Sequence, residues 1–354
     1  MNGAANAVSR KPSTRMWAGL AAALAILACA GWLLDVRALL ASYLAAWWFV
    51  TGTLLGGLAN VWLHQLTGGA WGEAIRPTLL RAARWLPLAC LLFLPMLAGI
   101  SLLYPWSAPH GLQPDTSFRR VWLAPSAFIL RSVFYLLLWS GLAWMETRAR
   151  HRSSGRAAAG LLLYGFSVSL AAVDWIMSLQ PAWYSSVFGW LAATGQMLAG
   201  LALAVLLIDR RAASAVLPDL GNLLLMYVMS WAYLAFMQFL IIWAADLPRE
   251  IGWYVQRSAP GWQAVAWTLL AFHGALPVVI LLSRRAKRAP AVLGGLAAGL
   301  LIAHMLDCWW LVMPAVAGLT RNWLWLAPAI AVGVCLPTWI ALRPARISGE
   351  GAHG

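Results

Sequence analysis

The chain has 354 residues, of which 62% are hydrophobic and 10% charged, and its formal net charge is +14. Soluble domains carry about 25% charged residues, so a soluble globular protein is excluded. Apolar runs near the ~20 residues that cross a bilayer recur along the whole length instead.

The N-terminal Met1–Arg15 is polar and basic and is expected to be disordered. Ten spans follow: Met16–Leu34, Leu39–Leu66, Trp85–Tyr104, Pro125–Glu146, Ala157–Met177, Tyr184–Ile208, Asp219–Ala245, Trp262–Leu282, Ala291–Met313 and Trp323–Leu342. Only helices and closed barrels satisfy their backbone in hydrocarbon. These runs are too long and too continuously apolar for barrel strands, so each is predicted as a helix. The first is too long for a signal-peptide core, and no small-residue cleavage site follows Trp32. The expected organisation is a single ten-helix transmembrane domain over residues 16–342 and a tail over 343–354, with no soluble domain.

The basic residues sort by loop. Eighteen of the 25 fall on one side: Arg10, Lys11, Arg15, Arg76, Arg81, Arg84, Arg148, Arg150, Arg152, Arg156, Arg210, Arg211, Arg284, Arg285, Lys287, Arg288, Arg343 and Arg346. Six fall on the other: Arg37, Arg119, Arg120, Arg249, Arg257 and Arg321. This asymmetry is a positive-inside signal. It puts both termini in the cytoplasm, as an even number of spans requires. The charge therefore orients the chain against lipid and does not indicate nucleic acid.

Cys29, Cys90, Cys308 and Cys335 all lie within expected spans, and none forms a Cys-x-x-Cys pair. They are read as small apolar fillers. Many of the 24 Trp residues lie near span ends, such as Trp85, Trp106, Trp122, Trp183, Trp253, Trp323 and Trp325, and are read as an interfacial belt.

One residue interior to span four (Arg131), one in span five (Asp174) and two in span nine (His304 and Asp307) are ionisable. A charge at a helix centre costs roughly 2.5–3.5 kcal/mol on insertion scales, so such residues have a partner, a wet cavity or a task. At the helical rise, Asp174 lies roughly 26 Å from the inner end of its span, Asp307 roughly 24 Å, and Arg131 roughly 9 Å from the outer end. All three share the outer third of the membrane. His304 and Asp307, three residues apart, share one helix face.

Two readings stand side by side. In one, Arg131 is a buried structural ion pair with Asp174 or Asp307. In the other, Asp174 and the His304–Asp307 pair line a water-accessible cavity open to the outer face, where they exchange protons or shape a pocket for a flat apolar ligand walled by Trp175 and Trp309. A haem held by two imidazoles would need depth-matched histidines, and His273 and His304 differ by roughly 8 Å on this count. No catalytic residue and no metal ligand set is read from the chain.

Several motifs recur in order. They are Tyr164-Gly-Phe-Ser-Val-Ser-Leu-Ala-Ala-Val-Asp174-Trp175 with its continuation to Gly189, Asp219-Leu-Gly221, Trp231-Ala-Tyr233 through Gln238 to Trp243, Leu247-Pro-Arg-Glu250-Ile-Gly-Trp253-Tyr254, Leu282-Ser-Arg-Arg285 and His304-Met-Leu-Asp307-Cys-Trp-Trp-Leu-Val-Met313-Pro314. With them the chain resembles the ActF family, the second quinone-binding-like membrane subunit of alternative complex III (quinol:cytochrome c oxidoreductase), within the wider NrfD or polysulfide-reductase membrane-subunit group. The resemblance is strong from Tyr164 to Pro314 and topological before that.

The resemblance implies a pair of four-helix bundles plus two peripheral helices in a bacterial inner membrane, in a respiratory complex that carries electrons from quinol. It implies that this chain binds no cofactor unless quinone itself. Haem c and iron–sulfur clusters would belong to partners: a multihaem c-type cytochrome, an iron–sulfur subunit, an NrfD-like sister membrane subunit that oxidises quinol, other subunits of the complex, and in some assemblies a terminal oxidase. Asp174, His304 and Asp307 would be the proton-handling or quinone-pocket positions. The chain departs from the family pattern at Gln180 and Ala182, where an acid and a histidine are expected.

A secondary transporter with a buried ionisable site is the alternative. Transporters of that kind break a helix near the bilayer centre, and the spans carrying Arg131, Asp174 and Asp307 have no central Gly or Pro break.

Overall fold

The computed structural model describes residues 35–108, 116–209 and 214–316, with positions 29 and 33. The first expected span apart from positions 29 and 33, the tenth expected span, the two terminal segments, Arg321, Trp323, Trp325 and Cys335 lie outside the described residues. Within them every regular element is a helix and there is no strand.

In chain order the helices are α1 Val36–Thr67, α2 Ala70–Ala83, α3 Leu86–Leu91, α4 Leu94–Ala98, α5 Ile100–Leu103, α6 Ser117–Trp122, α7 Pro125–Arg148 and α8 Ser154–Trp175. They continue as α9 Phe188–Leu207, α10 Leu217–Ala245, α11 Pro248–Arg257, α12 Trp262–Leu269, α13 Leu276–Leu282, α14 Arg284–Arg288 and α15 Pro290–Val312. A π-turn, Leu270–Ala275, joins α12 to α13.

Among the described residues, eight segments are long and apolar enough to cross a membrane. They match the second to ninth expected spans, and the chain is an all-α, multi-pass membrane protein. The third span differs from its expected bounds of Trp85–Tyr104, because the apolar segment already starts at Ala70. Gly68 and Gly69, both at positive φ, turn the chain there. The first turns of α2 bury Ile75 and Leu79 while Glu73 and Arg76 find ionic partners, which mean hydropathy does not register. Past α2 the segment is broken where Pro87 and Pro95 enter first turns, since proline offers no N–H to the preceding turn.

Asp35 caps α1 by accepting from the backbone N–H of Arg37 (3.1 Å) and Ala38 (3.0 Å). From there α1 runs through the middle of the protein against α9. The two backbones touch: a Cβ on Gly56 would stand 2.0 Å from the Gln196 carbonyl oxygen, and one on Gly200 would stand 2.2 Å from the Gly57 nitrogen. Small residues permit this approach where lipid supplies no hydrophobic drive for helix association. Asn60 fastens the pair, donating to Gly56 O (2.8 Å) and Met197 O (2.9 Å) while accepting from the Tyr227 hydroxyl (2.9 Å). Around α1 pack α2, α3 and α8, with α7 against α3 and α8; around α9 pack α10 and α15, with α12 against α15 and α13 against α10.

Several tryptophans assigned to the interfacial belt are buried. Trp106 donates to Ser178 O (3.1 Å), and Trp183 stacks on Trp253 with ring centroids 4.7 Å apart. The connecting segments fold back over the helix ends, so a tryptophan beside a span end meets protein rather than headgroups. Trp85 is exposed, as a belt residue would be.

Candidate functional site

The four candidate ionisable residues, Arg131, Asp174, His304 and Asp307, do not form one constellation; they divide into two pairs. Arg131 on α7 grips Asp174 on α8 in a two-pronged ion pair, Nε to Oδ2 at 2.9 Å and Nη2 to Oδ1 at 2.9 Å. The Tyr135 hydroxyl donates a third bond to Oδ2 (2.9 Å). The guanidinium also donates to Trp122 O (2.7 Å) and lies 4.0 Å over the Trp122 ring. Asp174 is fully buried.

This is the arrangement a carboxylate in an apolar interior requires: an opposite charge plus hydrogen bonds to its remaining lone pairs. The expectation that Asp174 lines a water-accessible cavity is therefore corrected. Its oxygens are occupied by protein donors, and the residue is fully buried.

Trp175, expected as a pocket wall, is part of a closed aromatic core. Its ring packs on Phe93 (4.5 Å), Trp47 (5.3 Å) and Trp139 (5.5 Å), and its Nε1 donates to Ser132 Oγ (2.9 Å). Trp309 packs against Trp262, with centroids 5.1 Å apart. Neither lines the cavity described next.

The second pair lies on α15. Asp307 Oδ2 accepts from Trp231 Nε1 (3.3 Å) and sits 3.8 Å from His304 Nδ1. Gly195 on α9 makes room for the His304 ring, since a Cβ there would stand 2.7 Å from its Cε1. His273, in the π-turn, reaches the same place: its ring centroid is 5.8 Å from that of His304 and 4.0 Å from that of Trp231.

The depth count that separated the two histidines is thus overturned. Counting rise from helix ends carries the error of each end and assumes parallel helices, and the wider π-turn breaks the α-helical rise. Both ring nitrogens of His273 and Nδ1 of His304 are buried without a hydrogen-bond partner. Unpaired buried nitrogens beside a carboxylate are positions for water or for a ligand's polar atoms.

Asp307 also forms part of the wall of a cavity of about 500 Å³ between α10, α11, α12, the π-turn and α15. Trp231, Trp253 and Trp310 are its flat walls, and Gln238, Tyr254, Arg257 and Gln263 are its other polar groups. Phe236, Phe239, Trp267 and Leu270 stand exposed at its edge. The volume and the mixture of aromatic walls with a few polar groups are those of a small-molecule pocket.

Arg257 closes the cavity at the end of α15. It donates to Trp310 O (3.2 Å), Leu311 O (2.7 Å), Trp253 O (3.0 Å) and Gln180 Oε1 (3.2 Å), and lies 3.6 Å over the Trp253 ring. Burial pushes its guanidinium well below the usual arginine range, and burial likewise raises the Tyr254 phenol. The last carbonyls of α15, at the negative end of the helix dipole, offset part of that cost.

Gln180 occupies a place in this knot and also hydrogen-bonds Gln256. Arg257, Tyr254, Gln238 and Trp310 were not singled out as site residues. The available signal was the seven-residue spacing of Trp231 and Gln238, which puts both on one face of α10.

A third buried carboxylate lies at the opposite end of the protein. Glu146 accepts from Arg156 Nε (3.2 Å), Trp62 Nε1 (3.3 Å) and Gln65 Nε2, with Arg76 Nη2 at 3.5 Å. Nearby, Arg152 pairs with Glu73 through both carboxylate oxygens, and the buried His64 ring lies 3.0 Å from Gly69 O. These contacts tie α1, α2, α7 and α8 together.

No protein-family model matches the chain, and no curated relative matches it either.

Proposed function

We propose that this chain is an integral membrane subunit of a quinol:cytochrome c oxidoreductase of the alternative complex III kind. In this reading it sits in a bacterial cytoplasmic membrane with ten spans, arranged as a pair of four-helix bundles with two peripheral helices, and with both termini in the cytoplasm. The single observation that carries the reading is the Asp307 carboxylate in the wall of an aromatic cavity, backed by His304 and His273.

The cavity suits a flat headgroup held between tryptophan faces. Asp307 would take or give the protons that accompany such a group, with His304 beside it. Redox centres are assigned to partners: a multihaem cytochrome and an iron–sulfur subunit, with an NrfD-like sister subunit as the quinol oxidiser. The ordered motifs from Tyr164 to Pro314 support that assignment. Arg131 and Asp174 serve the fold.

Co-purification in mild detergent, followed by identification of associated subunits and a haem spectrum, tests the reading. Haem c and an iron–sulfur subunit should accompany the chain. A chain that isolates alone, with no haem-bearing partner from any mild detergent, overturns it.

One observation favours the transporter alternative. The span Trp262–Leu282 is interrupted by the π-turn that carries His273, with Pro277 just after it. Such interruptions gather at functional sites, and a broken helix is a transporter feature. The α-helices holding Arg131, Asp174 and Asp307 are continuous. Solute uptake by the purified chain in liposomes would favour this reading over the first.

A further inference from the structure

A second cavity, of about 400 Å³, lies between the α12–α13 segment and α15, and its lining is almost wholly apolar. Phe272, Leu276 and Ile280 form one wall, and Val292, Gly299 and Leu306 mark its course along α15. From Val292 to Leu306 it runs roughly 21 Å at the helical rise, more than one leaflet of a ~30 Å hydrocarbon core.

The slot is open. No atom lies within 4 Å of where a Cβ would stand on Gly295 or Gly299, and Phe272, Leu276, Val292 and Ile302 are exposed along it. A hydrocarbon chain fits such a slot.

The connection between its two walls is strongly basic. Residues 282–290 carry Arg284, Arg285, Lys287 and Arg288 and no acidic residue. Arg284, Arg285 and Arg288 are exposed, while Lys287 Nζ donates to Asn222 Oδ1 (2.7 Å) and is held against α10. Ser283 Oγ accepts from Ala286 N (3.3 Å) and sets the turn that presents the arginines. Apolar slot and cationic end thus belong to one helical hairpin, with the charges where the slot reaches Ile280 and Val292.

We propose that this hairpin binds an anionic phospholipid of the cytoplasmic leaflet, one acyl chain lying along Gly295 and Gly299 and the phosphodiester held by Arg284, Arg285 and Arg288. Guanidinium forks match phosphate oxygens in two-pronged contacts. Basic pockets between membrane helices at the cytoplasmic side recognise anionic headgroups. An apolar slot alone would accept any hydrocarbon, including the expected span 323–342 of this chain; the cluster of cations at its mouth selects an anionic lipid. The inference takes from the proposed function only the side of the membrane.

The test is native mass spectrometry of the full-length protein, with whatever partners accompany it, delipidated and titrated with phosphatidylglycerol or with zwitterionic phosphatidylethanolamine. Phosphatidylglycerol should bind at least ten times more tightly. Arg284→Gln with Arg285→Gln should weaken it roughly thirty-fold, from the contribution of two basic side chains near a headgroup, and leave phosphatidylethanolamine unaffected. Gly299→Leu, which fills the slot and keeps the charges, should abolish tight binding, and Gly295→Leu should do the same if the first variant is poorly expressed. Arg148→Gln with Arg150→Gln removes equal charge from a loop outside the slot and should change nothing.

Equal loss from the two double variants would reduce the effect to surface charge and overturn the proposal. Undiminished binding with both glycine variants would overturn it by leaving the slot to another occupant, the 323–342 segment foremost. Lipid binding is read without haem, quinol or turnover, so it and the proposed function can fail separately.

Discussion

At the residue scale, the two interior carboxylates differ in what protein gives them. Asp174 accepts two bonds from Arg131 and one from Tyr135, whereas Asp307 accepts one from Trp231 and borders a cavity. Removing one member of a buried ion pair strands the other charge, so Arg131→Ala should destabilise the protein by about 3–5 kcal/mol in thermal unfolding in detergent. Replacing both partners with apolar groups, as Arg131→Met with Asp174→Leu, should restore most of that loss, since well-packed isosteres of buried pairs are often neutral or stabilising. Asp307→Asn should behave in the opposite way. It keeps an acceptor for Trp231 and should leave the unfolding midpoint nearly unchanged. If the proposed function holds, the substitution should slow turnover of the assembled complex on the order of 10²-fold by impeding proton transfer, the usual contribution of a positioned proton-transfer group. Wild-type turnover with Asp307→Asn would make the residue structural.

Elements are held by contacts that forbid certain side chains and tolerate others. Gly56 and Gly200 sit where the backbones of α1 and α9 touch, so even Gly56→Ala drives a methyl against the Gln196 carbonyl and should sharply lower the yield of folded protein. Gly299→Ala adds the same methyl to open space and should change stability by no more than about 0.5 kcal/mol. The end of α15 depends on Arg257, whose guanidinium bonds Trp310 O and Leu311 O. Lysine offers a point charge in place of the fork. Arg257→Lys should therefore cost about 2 kcal/mol or more in the same unfolding measurement, because carbonyls already buried lose a charged donor.

For the whole molecule, the loop charges define an orientation that labelling can check. In a background with the native cysteines replaced by alanine, Arg285→Cys should resist an impermeant thiol reagent added to intact cells and react once the membrane is opened. Reaction in intact cells would reverse the orientation. The two ends of the protein are built differently, in keeping with that polarity. The Glu146 knot joins α1, α2, α7 and α8 through arginines at one end, while the Asp307 cavity opens among tryptophans toward the other.

Hydropathy and charge alone settled the all-α class, the presence of the second to ninth spans though not the start of the third, and the membership of Arg131, Asp174, His304 and Asp307 in the interior. These depend on local quantities: length of apolar run, rise per residue, and the cost of a lone charge in hydrocarbon. The pairing of those residues did not follow, because depth places a residue along the membrane normal and says nothing of which helix faces which. Arg131 had two carboxylates at its depth, and only the packing of α7 against α8 chose Asp174. His273 met His304 through a π-turn that no periodicity announces. Trp253, Tyr254 and Arg257 looked like loop residues by position and became the roof of a cavity once α11 folded over α15. Sequence determined what had to be inside the membrane, since that is a property of each segment by itself. Which interior groups meet was decided by tertiary structure, since a contact belongs to two helices and to the angle between them.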